Sequence, residues 1–175
     1  LVFPTYKWVL GPYGRAFVYI APRHQQGVPL EQTSFGRRNV RSENDIYFED
    51  PRYVSGALRF DMGERDHFIS MEMASIGMEM VAAWSPAAIA ARLQALTQKI
   101  AEGLEGQDVS ALPVASRAPH ILSLKFKGNA REIAQRLAAQ KLHVMPRLGR
   151  VRIAPHVYND DEDVARLVAA LRAMA

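Results

Sequence analysis

The chain has 175 residues, 49% hydrophobic and 23% charged, with 22 lysines and arginines against 18 acidic residues; this is the composition of a folded globular protein, not a disordered or fibrous one. A net charge of +4 is too small to point to nucleic acid by itself, and the absence of cysteine excludes disulfides, thiolate metal sites and a cysteine nucleophile supplied by this chain. No apolar run reaches the roughly 18 residues that span a bilayer, and Leu1-Val2-Phe3-Pro4 lacks the pattern of a signal peptide, so the expectation is a cytoplasmic protein with no membrane partner that, starting at Leu, reads as a piece of something longer.

In chain order, Gly11-Pro12-Tyr13-Gly14 predicts a turn, and the β-forming run Arg15 to Ile20 predicts a strand that ends before Pro22. From Arg23 to about Arg65 the chain is polar and glycine-punctuated, which predicts long loops with a short strand at Ile46 to Phe48. The cluster Arg37, Arg38 and Arg41 is followed at once by Glu43, Asp45, Glu49 and Asp50. It therefore reads as a solvated or dimer-facing loop and not as a nucleic-acid contact.

Phe68 to Trp84 predicts a helix with a core stripe of Ile69, Met73, Ile76, Met80 and Trp84, and Met71, Met73, Met78 and Met80 read as adaptable packing. Ser85-Pro86 then predicts an N-cap with proline in the first turn, opening a helix of Ile89, Leu93, Leu96, Ile100 and Leu104 that stops near Gly106. After Pro119 the pattern is β-α-β-β-α: strand Ile121 to Phe126, helix Ala130 to Gln140, strands Leu142 to Met145 and Val151 to Ala154, and a last helix. Asn159 with Glu162 predicts its capping box, and Val164, Leu167, Val168 and Leu171 its buried stripe. The predicted product is a two-layer α+β unit with helices on one face of a sheet. His24, His67, His120, His143 and His156 share no ligand spacing on one element, so no metal is expected.

One residue stands out chemically. Lys7 lies between Tyr6 and Trp8 ahead of the Gly-Pro-x-Gly turn. Apolar surroundings disfavour the charged form of a lysine, and a neutral amine is what attack on an aldehyde requires. The alternative is an ordinary lysine whose ammonium snorkels out of an aromatic patch.

The segment Thr5-Tyr6-Lys7-Trp8-Val9-Leu10-Gly11-Pro12-Tyr13-Gly14, with the strand Ala16-Phe17-Val18-Tyr19-Ile20 after it, resembles the pyridoxal-phosphate (PLP) lysine segment of class V aminotransferases. That family, of PLP fold type I, includes cysteine desulfurases, kynureninases and isopenicillin N epimerase-like enzymes. Two further blocks resemble it in the same order. Leu58-Arg59-Phe60-Asp61-Met62-Gly63-Glu64-Arg65 stands where the family has Arg-Phe/Tyr-x-x-Gly-Thr. Val151-Arg152-Ile153-Ala154-Pro155-His156-Val157-Tyr158-Asn159, followed by an acidic run, stands where it has Arg-x-Ser and Tyr-Asn-Thr-x-Glu-Asp.

The resemblance implies an α/β fold: the C-terminal part of an aspartate aminotransferase-like fold type I enzyme, ending in a small α+β domain. Residues 1–22 would close the large PLP-binding domain, 23–84 would form connector loops and a long helix, and 85–175 the small domain. It implies that Lys7 is the Schiff-base lysine and proton carrier, that Tyr6 and, more weakly, Thr5 contact the PLP phosphate, and that Arg152 holds the carboxylate of an amino-acid substrate. It also implies a homodimer for the full-length protein. The departures are specific. Glu64 replaces a phosphate-binding Thr and would repel the phosphate, leaving Arg65 to substitute for it; Ala154 replaces a Ser; and no cysteine is present to carry a persulfide. The family's lysine lies past the middle of its chain, so the pyridine-nitrogen partner and most phosphate ligands precede the segment seen here. The competing expectation is therefore a catalytically silent truncated domain or interaction module of the same fold.

Overall fold

The computed structural model describes residues 1–34, 36–38, 50–63 and 65–175. They form two compact units, Leu1–Ala83 and Trp84–Ala175. The expected strand at Ile46 to Phe48, together with Arg41 and Glu64, lies outside the described residues.

In the first unit, β1 (Val2–Pro4) pairs antiparallel with β2 (Ala16–Val18), with Phe3 opposite Phe17. The expected strand is thus present but shorter, with single backbone bonds just beyond it from the Tyr19 N–H to the Leu1 carbonyl and from the Thr5 N–H to the Arg15 carbonyl. Two 3-10 turns follow, Pro22–His24 and Ala57–Phe60, and the described residues between them are irregular apart from a bridge of Arg37 to Tyr53. The basic loop is partly spent internally: Arg37 lies 4.0 Å over the Tyr53 ring and donates to the Pro51 carbonyl.

Helix α1 (Phe68–Trp84) has the predicted bounds, but its buried stripe is shifted around the helix by about one residue from the predicted one. Ser70, Ala74 and Gly77 are the buried residues, while Ile69, Met73, Ile76 and Met80 are exposed and Phe68 is 80% exposed. Small residues at i, i+4 and i+7 let backbone approach the helix closely. A Cβ on Gly77 would lie 2.1 Å from the Val9 carbonyl oxygen, a separation that only glycine permits. Larger apolar side chains could not fit there and lie on the adjacent, exposed part of the helix surface.

The second unit opens with α2 (Pro86–Glu102), whose N-cap Ser85 accepts a hydrogen bond from the Ala88 N–H as expected. Leu93, Leu96 and Ile100 are buried along one stripe, and Leu104 is buried just past the helix end. A strand absent from the sequence reading, β3 (Val109–Ala111), pairs with β4 (Leu122–Phe126); β6 (Arg150–Ile153) pairs with β4, and β5 (Met145–Arg147) with β6. The sheet order is β3-β4-β6-β5, antiparallel throughout. β5 lies later than expected because Pro146, which cannot donate to a ladder, is accommodated on an edge strand. Helix α3 (Ala130–Ala138) packs on β5 and β6, and α4 (Asp161–Arg172) packs on α2.

The α4 cap sits one residue later than predicted. Asp160 and Asp163 form the capping box, whereas Asn159 braces the approach by accepting from the His156 N–H (2.8 Å) and donating to Asp163 Oδ2 (2.9 Å). The Asn159 amide holds the Asp163 carboxyl below the usual carboxylate range, and the Lys99 ammonium, 2.6 Å away, does the same for Asp161. Leu122, Leu124, Phe126, Val151 and Ile153 are buried on the helix side of the sheet. Strand alternation sends Ser123, Lys125, Arg150 and Arg152 to the other side.

Candidate functional site

Lys7 sits in the loop that links β1 to β2. Three interactions shape this loop. Thr5 N–H donates to the Arg15 carbonyl (3.1 Å), Gly11 N–H donates to the Thr5 carbonyl (2.8 Å), and Leu10 N–H closes a turn on the Lys7 carbonyl (3.2 Å). Thr5 is fully buried at 0% exposure, with Oγ1 2.9 Å from the Pro12 carbonyl and 3.1 Å from that of Arg15. Its single hydroxyl proton is shared between those two acceptors. Gly11 lies so close that a Cβ there would be 2.7 Å from the Thr5 Cβ. Thr5 is therefore committed to the turn, and its geometry argues against the expected phosphate contact.

The loop is tied to α1 by one side chain. Arg15 donates from Nε and Nη2 to Ser70 Oγ (3.2 and 2.9 Å), from Nη1 to the Arg65 carbonyl (3.1 Å), and from Nη2 to the His67 carbonyl (3.3 Å). The close approach of Val9 to Gly77 adds a second tie. Lys7 is thus carried on a braced loop, not a free one.

The expected burial of the Lys7 amine is not found. Lys7 is exposed, its Nζ 5.5 Å from the Tyr6 ring centroid. Tyr6 turns its ring onto Tyr13 across the loop, with centroids 4.3 Å apart and planes at 14°, and Trp8 is only half-buried. Adjacency in sequence therefore does not become enclosure within the described residues, and an aldehyde in solvent can reach the amine. Tyr6 is itself partly exposed, and its hydroxyl has no hydrogen-bond partner among the described residues. Arg65, the expected substitute for the missing Thr, forms an ion pair with Asp61 and approaches Asp66 at 3.7 Å. That pairing already answers much of its charge.

Arg152 lies in the second unit, on β6, between Ser123 of β4 and Met145 of β5. Its Nε is buried and makes no hydrogen bond. A buried guanidinium donor without a partner is costly, by about 1–3 kcal/mol and more for a charged group, and donating to a carboxylate would relieve it. Arg150, two residues earlier on the same face, likewise has Nη1 buried and unpartnered. The sequence reading missed Arg150, although the alternation Arg150-Val151-Arg152-Ile153 already placed both arginines on one side of a strand.

No protein-family model matches the sequence, and no curated protein matches it. Solved structures do. A cysteine desulfurase from Thermococcus onnurineus NA1, solved in its apo form, superposes with a TM-score of 0.82 over 99% of this chain and 46% of its own, at 19% identity. The cystine C-S lyase C-DES, in complex with its reaction product cysteine persulfide, gives 0.79 over 95% of this chain and 44% of its own, at 18% identity. A lysine-to-alanine variant of C-DES with glycine covalently linked to its PLP cofactor gives 0.75 over 94% and 43%, at 20% identity. This chain has the fold of the C-terminal part of a fold type I PLP enzyme. It spans less than half the length of these solved chains. Among the described residues, no single helix is long and apolar enough to cross a membrane.

Proposed function

We propose that this chain is the C-terminal portion of a PLP-dependent enzyme, class V aminotransferase-like, that acts on an amino acid. The observation that carries the reading is the likeness over 99% of the chain to a cysteine desulfurase, in a sequence whose Lys7 stands before a Gly-Pro-x-Gly turn. PLP, when bound, withdraws electrons from the amino-acid Cα and so acidifies its proton. Accessibility and chemistry fit Lys7 as the residue that holds it and Tyr6 as a donor to its phosphate; Thr5, with its hydroxyl committed to the turn, does not fit.

In this reading the Lys7 Nζ takes the α-proton and returns it, held at working distance by the braced loop. Arg152 binds the substrate carboxylate through two parallel N–H donors, a geometry that lysine cannot reproduce. Because the sequence contains no cysteine, the chain supplies no thiol to receive sulfur, which favours transamination or another reaction at Cα over desulfuration. A homodimer and a cytoplasmic setting belong to the same proposal and rest on the family resemblance.

The test is to incubate the protein with PLP, follow the absorbance of lysine-linked PLP, trap it with borohydride and map the labelled peptide. The chain has five lysines. Of these, Lys99 and Lys127 are held by Asp161 and Asp108, and Lys125 donates to the Gly149 carbonyl at 3.3 Å. Label concentrated on Lys7 and lost in Lys7→Ala supports the proposal. Label spread over Lys99, Lys125, Lys127 and Lys141 favours a catalytically silent module.

A further inference from the structure

The face of the sheet that carries Arg152 is cationic well beyond that residue. Arg150 lies two positions before Arg152 on β6, and Arg147 of β5 is directly opposite Arg150. Lys125 points the same way from β4. None of the four strands contains an acidic residue. Like charges held side by side in a sheet repel one another, and an anion bound on this face would offset that repulsion.

Two of its donors are also dehydrated. Arg150 Nη1 and Arg152 Nε are buried without hydrogen-bond partners, a condition that is relieved when an anionic acceptor arrives. Residues i and i+2 of a strand are separated by about 6.6–6.8 Å along its axis. The two arginines are therefore next neighbours on one face of the strand, and their side chains are long enough to reach two carboxylates on one short carbon chain. A single α-carboxylate on Arg152 would leave the Arg150 donor unanswered.

We propose that Arg150, supported by Arg147, recognises a second anionic group, so that the substrate class is a dicarboxylic amino acid of the length of aspartate or glutamate. The inference rests on Arg152 as the carboxylate clamp and adds the side-chain specificity that the clamp alone lacks. Ser123 and Met145, opposite Arg152, carry no charge, so the discrimination between acidic and neutral substrates falls to Arg150 and Arg147.

The test titrates the uniformly 15N-labelled 175-residue protein with acetate, succinate or L-aspartate at constant ionic strength, following the arginine Nε–H resonances. Succinate is expected to bind at least tenfold more tightly than acetate. Arg150→Met should abolish that advantage, and Arg150→Lys should retain part of it. Should Arg150→Met lose the folded amide spectrum, Arg150→Lys decides by its reduced succinate-to-acetate ratio. Equal affinities in the native protein, or an advantage that survives undiminished in the Arg150 variants, overturn the proposal. Arg152→Met should weaken both ligands. Acetate that leaves the Arg152 Nε–H resonance of the native protein unshifted refutes the clamp itself, and the Arg150 assignment is then judged on the succinate ratio alone.

Discussion

Replacing Gly77 with alanine tests the close contact that ties the lysine loop to α1. The new Cβ would lie 2.1 Å from the Val9 carbonyl oxygen, whereas ordinary contact begins near 3.4 Å, so the loop or the helix must move by about 1.3 Å. Strain of this kind costs about 1–3 kcal/mol. Alanine returns roughly 0.8–1.0 kcal/mol through its higher helix propensity. The net expectation is a loss of roughly 0–2 kcal/mol, borne by the first unit. Amide hydrogen exchange resolves the two units separately, and faster exchange at the Thr5 and Gly11 N–H groups is expected while the β4 and β6 amides stay unchanged. Because Val9 lies two residues from Lys7, the rate of PLP labelling at Lys7 should change as well. A Gly77→Ala protein that is more stable than the parent, with unchanged exchange and labelling, would show that the helix and loop do not approach as described.

Thr5→Val should destabilise the first unit by about 1–2 kcal/mol, because the Pro12 carbonyl loses its hydroxyl donor; Thr5→Ser should retain most of the stability in chemical denaturation. A valine variant of native stability that binds PLP less well would instead restore Thr5 as a phosphate ligand. Asp161 and Asp163 titrate below their ordinary value of 3.8 in the folded chain. Their contribution is therefore complete above that pH and is lost as the pH falls through the folded values. Asp163→Asn should flatten the acid limb of the second unit's stability-pH curve below about pH 4, and an unaltered limb would exclude the Asn159–Asp163 bond as its source. The exposed stripe of α1 should bind the dye ANS. Glu at Met73 and Ile76 should lower that fluorescence without loss of stability, since both side chains are about half exposed (50% and 51%); a large destabilisation would mean that the stripe is buried after all.

Local signals sufficed where local physics governs. Ser85-Pro86 opens α2 because the capping hydroxyl and the proline act within one turn of chain. The spacing of Leu93, Leu96 and Ile100, and the alternation of Leu122, Leu124 and Phe126, assigned both the elements and their buried faces in the second unit. The cap of α4 was placed one residue early because Asn159 and Asp160 are both good caps, and the choice between them depends on Asn159 reaching back to the His156 N–H. β3 escaped because Val109-Ser110-Ala111 is too short a run to carry a periodicity; these residues are a strand only because β4 offers them an edge.

The sequence by itself determined which lysine and which arginine merit attention, since the motifs around Lys7 and Arg152 are contiguous and survive without a fold. It also settled the order of the elements from β4 to α4, for periodicity is a property of neighbouring residues. Only the tertiary structure decided which surroundings those side chains receive. It buried Thr5 and exposed Lys7 two positions later, since a tight turn directs adjacent side chains to different environments. It buried the small-residue face of α1 because the Val9 backbone comes too close to Gly77 to admit a larger side chain. And it aligned Arg147, Arg150 and Arg152 on one sheet face through the β5–β6 register, a pairing between strands that depends on the hydrogen-bonded ladder as much as on the residues in either strand.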